Sequence, residues 1–95
     1  MPALWIAHVT VTDADQYAKY AELAGPALSK YGGEFIARGA RYVQFEGREH
    51  ERQVIAKFAS VEAAETCYHS PEYAEALAFS NGASDRDVLV VETTE

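Results

Sequence analysis

Tyrosines, one arginine and one histidine are the residues of this sequence best suited to chemistry. Tyr17, Tyr20, Tyr31, Tyr68 and Tyr73 all fall on segments with helical patterning. A tyrosine buries a large ring and leaves one hydroxyl to satisfy. Such a set either packs a core or lines a pocket between helices and sheet, with a hydroxyl or two turned to a ligand. Tyr31, Tyr68 and Tyr73 are the candidate ligand contacts. His8 sits mid-strand between apolar neighbours. An imidazole there can take up a proton near neutral pH and serve as a base, or it can hydrogen-bond within a packed wall. Arg38 closes a short β-branched and aromatic run just before Gly39. Turned inward, its guanidinium could clamp a carboxylate or enolate with two parallel hydrogen bonds; otherwise it pairs with one of the 15 acidic residues. His8 and Arg38 are the candidate catalytic residues.

The other reactive side chains offer less. Cys67 and His69 are two apart on a helix and so do not face each other. Cys67 reads as a small buried hydrophobe, and His50 as a solvated residue of a charged turn. Three scattered histidines and one cysteine have no metal-ligand spacing; His8 and His69 leave haem ligation open, with no specific feature in its favour. No G-x-G-x-x-G, P-loop or G-x-S-x-G is present, so nucleotide and acyl-transfer readings have no support. No metal and no cofactor is the expectation.

The elements that must hold these residues can be traced from patterning. Leu4 to Val11 is β-branched and aromatic and predicts a strand. Asp13 with Gln16 has capping-box spacing, and Tyr17, Tyr20, Ala21, Ala24, Leu28 and Tyr31 recur at three- and four-residue steps. This predicts a helix over 14–31, with a kink or break at Pro26, which has no N–H to give to Glu22. Gly32-Gly33 ends it. Glu34 to Arg38 predicts a second strand, continued or neighboured by Tyr42 to Glu46. Gly47 to His50 makes the turn, and Glu51 to Phe58 forms a third strand, paired with the second as a hairpin. Ser60 caps a helix from Val61 to His69, and Ser70-Pro71-Glu72 starts another that runs to Ser80, where Asn81-Gly82 stops it. Arg86 to Glu92 is the last strand.

The order β-α-β-β-α-β is the ferredoxin-like arrangement: an α+β fold with a four-stranded antiparallel sheet and its helices on one face. Ninety-five residues make one domain, residues 1–95, burying ~65% of the surface exposed by the unfolded chain. The formal net charge of -7, with no run of Lys or Arg, argues against nucleic acid and anionic membranes. No apolar run approaches the roughly 20 residues that cross a bilayer. Met1 to Val11 reads as a strand rather than a leader. With a single cysteine, these features point to the cytoplasm. Val88 to Val91 and most of Leu4 to Val11 are apolar on both faces, whereas a sheet facing water should alternate. The face without helices therefore needs a cover, and a second copy in a two-fold homodimer is the simplest.

Several stretches together resemble the family called domain of unknown function 1330, of the dimeric α/β-barrel superfamily. They are Trp5-Ile6-Ala7, Val11-Thr12-Asp13, Tyr17 with Tyr20, Ala24-Gly25-Pro26, Lys30-Tyr31-Gly32-Gly33, Ala37-Arg38-Gly39, Ser70-Pro71-Glu72-Tyr73 and Asp87 to Glu92. The resemblance implies a ferredoxin-like protomer whose sheet closes face to face with a partner's into an α/β barrel. It supplies no activity. More distant members of the superfamily include cofactor-free monooxygenases, lactone isomerases and haem enzymes. Family members often carry arginine where this chain has Ser80, which implies a different ligand here if that arginine binds an anion.

Three functions follow as expectations. The first is a homodimer that binds a small organic ligand in one pocket per protomer, lined by His8, Arg38 and the tyrosines, with a cavity of at least ~300 Å³. The second is a cofactor-free monooxygenase or isomerase with His8 as base and Arg38 as anion stabiliser, both within reach of one substrate atom. The third is an interaction module without a ligand.

Overall fold

In the computed structural model, which describes all 95 residues, seven elements follow in the order expected. They are β1 (Ala3–Val11), α1 (Ala14–Lys30), β2 (Glu34–Arg38), β3 (Arg52–Phe58), α2 (Val61–Tyr68), α3 (Pro71–Ser80) and β4 (Ser84–Glu92). The strands form one sheet in the order β2-β3-β1-β4, with every neighbouring pair antiparallel. This is the four-stranded ferredoxin-like sheet, and β2 and β3 pair as the hairpin that the sequence predicts.

The helices start where short polar side chains can satisfy free backbone N–H groups. Asp13 accepts from the Gln16 N–H, Ser60 from Ala63 and Ser70 from Tyr73. Helix α1 runs uninterrupted through Pro26, so the expected break is absent. Gly25, Ala27 and Leu28 are buried on either side of the proline, and this packing holds the helix together across the missing hydrogen bond.

Two faces of the sheet emerge from the period of two. Trp5, Ala7 and Val9 of β1 point under the helices, together with Val54, Ala56 and Phe58 of β3 and Val88 and Val90 of β4. Trp5 is the hub of this core, with its ring 5.1 Å from Tyr73, 5.7 Å from Tyr68 and 5.8 Å from Phe58. Leu4, Ile6, His8 and Thr10 face the other way, and no helix covers them.

Residues 39–51 form no strand, so the expected extension at Tyr42 to Glu46 is not found. Its hairpin partner would be the charged stretch Gly47 to Glu51, which has no β-branched or aromatic residue and pairs poorly. Phe45 stands 89% exposed there. His50, expected in solvent, is 4% exposed. The loop returns over the open face of the sheet, where the His50 ring meets Thr10 Oγ1 at 2.9 Å and Asp87 Oδ2 at 3.3 Å.

Candidate functional site

Strand β2 carries a bulge. Phe35 pairs with Ala56 and Ala37 with Ile55, so the extra residue Ile36 interrupts the alternation. Two residues three apart on a strand normally point to opposite faces. Because of the bulge, Phe35 and Arg38 point to the same one. The Arg38 guanidinium lies over the Phe35 ring at 4.2 Å and turns beneath α1. A Cβ at position 25 would come within 3.0 Å of Arg38 Nη2, so Gly25 makes room for it in the helix.

Two more arginines meet it there. Arg52 of β3 and Arg86 of β4 are both in register with Val9, one on each side of it, and both point under α1. Gly39 has a φ of +66°, and a Cβ on it would run into the Arg52 guanidinium. The backbone turn after β2 therefore makes the space that Arg52 fills. Arg86 lies 4.8 Å from the centre of the Tyr20 ring, and its Nη2 donates to Tyr73 Oη at 3.2 Å. Tyr73 Oη also meets Tyr20 Oη at 2.8 Å. Burial, reinforced by the neighbouring Tyr20, pushes the Tyr73 hydroxyl well above the ordinary phenol range, so it stays protonated.

These three guanidiniums line a cavity between α1 and the sheet. Trp5, Tyr17, Tyr20 and Phe35 give it aromatic walls, and Ala7, Ala21 and Ala24 keep the helix close. Its volume is about 30 Å³, room for about two waters. That is smaller than the expected ~300 Å³; the small residues of α1 let the helix settle onto the sheet, and arginine and tyrosine side chains fill the remaining space. None of the three arginines has a carboxylate within 4.0 Å. The ion pairs of the protein are Lys30–Glu72, Arg48–Asp85, His50–Asp87 and Lys57–Glu95. Arg52 Nε is buried with no acceptor at all.

The candidates from the sequence are only partly brought together. Arg38 lines the cavity. His8 lies on the opposite face of the sheet, with Nδ1 2.6 Å from Gln53 Oε1 and its ring stacked 6.3 Å from His50. A site in which His8 and Arg38 act on one substrate atom is thus absent within a protomer. Tyr73 is fully buried and braces Tyr20 and Arg86 from behind. Tyr31 is away from the cavity and donates to Glu72 Oε1 at 2.7 Å. Tyr68 borders an open groove of about 300 Å³ beside Ser80, Asn81 and Ser84; Arg86 is the one residue lining both this groove and the inner cavity. Tyr17 and Tyr20, named with the other tyrosines but not among the three chosen as ligand contacts, line the cavity, whereas Arg52 and Arg86 were not singled out from the sequence. A signal for the arginines was present: each continues the alternation of inward apolar residues, Arg52 with Val54, Ala56 and Phe58, and Arg86 with Val88 and Val90.

No three His, Cys, Asp or Glu side chains gather closely enough to hold a metal ion. No helix is long and apolar enough to cross a membrane.

Among solved structures, the chain is similar to a protein of unknown function from Rhodopseudomonas palustris. The match has 21% identity and a TM-score of 0.81 and covers 99% of this chain and 83% of that one. A dimeric ferredoxin-like protein of unknown function from Jannaschia sp. CCS1 has 11% identity and a TM-score of 0.78, with 98% of this chain and 100% of that one covered. SnoaB, a cofactor-independent oxygenase from Streptomyces nogalater, has 9% identity and a TM-score of 0.70, over 99% of this chain and 94% of that one. At such identities the likeness is one of fold. No curated protein matches the sequence. The family model described as "Domain of unknown function (DUF1330)" matches residues 2–94, nearly the whole length, and the chain belongs to that family.

Proposed function

We propose that this chain is a homodimeric binding protein for a small organic molecule, held between α1 and the sheet of each protomer. One observation carries the reading: aromatic and small apolar walls converge on three guanidiniums that have no carboxylate partner in the protein. An apolar pocket with a few convergent polar groups is the usual form of a ligand site. Of the residues named from the sequence, Arg38, Tyr17 and Tyr20 line this site and Tyr73 braces it; Tyr68 borders the adjoining groove, and Tyr31 and His8 lie outside it.

The dimer rests on the open face. Ile6, Ile55 and Leu89 form one row across three strands, and Leu4 and Val91 extend it. Leu89 is 49% and Val91 46% exposed in the isolated protomer. A contiguous apolar sheet face of this kind favours a self-complementary contact with a second copy. The likeness to a protein described as dimeric points the same way. The single buried thiol, Cys67, suits a reducing compartment such as the cytoplasm.

Light scattering tests the assembly: twice the protomer mass of 10.4 kDa is expected. Leu89→Arg, which sets a charge in the apolar row, should return the protomer. Thermal melting against a panel of small metabolites tests the pocket, since a ligand that binds only the folded state must raise Tm. A panel that shifts nothing would favour an interaction module instead.

A further inference from the structure

We propose that the molecule held in this cleft is a compact dianion: a phosphoryl group, or two carboxylates one or two carbons apart. The inference rests on the ligand-pocket reading above and adds the charge and size of the ligand.

Charge comes first. The protein carries 15 acidic residues against 8 basic ones, so an acid partner for any arginine is easily supplied. Arg38, Arg52 and Arg86 nevertheless have none. Their neighbours are the faces of Phe35 and Tyr20 and the hydroxyl of Tyr73. Aromatic faces attract a cation without neutralising it. Withdrawing a guanidinium from water with no counter-charge is costly. An anion from outside the chain removes that cost, and the dry walls strengthen its attraction.

The number of charges follows from exposure. Arg52 and Arg86 are partly buried, while Arg38 is exposed at the mouth, where water supports its charge. Two inner cations call for two negative charges. Val9 alone separates Arg52 from Arg86 across the sheet, so their Cα atoms are about 10 Å apart. Their guanidiniums reach the same small cavity from either side. Arg52 Nε still has an unfilled donor position. A volume of about 30 Å³, room for about two waters, takes two acid oxygens, one for each inner guanidinium, and no long chain.

Isothermal titration of the 95-residue chain with inorganic phosphate, malonate and acetate, at matched ionic strength and a pH where phosphate is dianionic, tests this. Phosphate or malonate should bind at least about tenfold tighter than acetate, the factor supplied by one further charge-assisted hydrogen bond. The stronger of the two tells a tetrahedral ion from a dicarboxylate. Arg52→Met should abolish the preference, and Arg48→Met, on the surface, should leave it intact. Equal binding of acetate and the dianions overturns the inference, as does a preference that survives Arg52→Met. The comparison among the three anions on the unmodified protein stands even if a variant fails to fold. Neutral compounds that raise Tm while no anion binds would remove the dianion and leave the pocket. Should no compound of either kind bind, both readings fall.

Discussion

Arg38 stacks on Phe35 at 4.2 Å although three positions separate them on one strand. Unbroken alternation would put the two on opposite faces of the sheet. The bulge at Ile36 places them on the same one and so carries a cation from the far face into the cleft under α1. The candidate site thus depends on a single extra residue in the edge strand.

Gly25 tests that arrangement. Alanine in a helix interior is favoured over glycine by about 1 kcal/mol. Its Cβ would stand 3.0 Å from Arg38 Nη2 and push the guanidinium outward. A Cβ on the residue before Pro26 also crowds the proline ring, which offsets that gain. Gly25→Ala should therefore change stability in urea little while weakening anion binding. Unchanged anion binding would show that Arg38 does not hold the ligand.

The Tyr20–Tyr73–Arg86 chain predicts a cost for one missing oxygen. Tyr73→Phe leaves the Tyr20 hydroxyl and an Arg86 N–H without their partner in a buried setting. A lost buried partner costs about 1–3 kcal/mol, and the ring itself still fills its place in the core. Chemical denaturation should find a loss in that range, and a neutral outcome would mean that water replaces the hydroxyl.

Glu72 predicts a pH effect. Its hydrogen bond from Lys30, and then that from Tyr31, hold the carboxyl at about 2, below its ordinary 4.5. A carboxyl depressed by folding adds stability that is complete above the unfolded value and is lost as pH falls through the folded one. The window here runs from 4.5 down to about 2. The groups are solvent-facing, so the effect is small. Glu72→Gln should flatten the pH dependence of stability in that window, and equal slopes in the two proteins would contradict the assignment.

Cys67 should be chemically silent. Burial pushes its thiol up to about 11, which leaves roughly one thiolate in a thousand at pH 8. An aromatic disulfide reagent should label the native protein no faster than it unfolds and label the denatured chain at once. Rapid labelling of native protein would mean that α2 opens locally.

Much of this molecule is written locally. The caps Asp13, Ser60 and Ser70, the Gly32-Gly33 stop and the two hydrophobic periods each involve residues only a few positions apart, so the order and the ferredoxin-like topology could be read from the chain itself. The apolar open face was legible for the same reason, because alternation is a property of a single strand. The site was not. Arg52 and Arg86 are 34 positions apart and meet only through their common register with Val9. Whether they find a carboxylate depends on where every acidic side chain comes to rest. His8 and Arg38 looked like partners until the bulge and the pairing of β1 assigned them to opposite faces, and His50 became buried only when its loop reached Thr10 and Asp87. Helix and strand propensities act within a few residues, whereas an uncompensated charge is a property of everything packed around it, and that is decided by the tertiary fold.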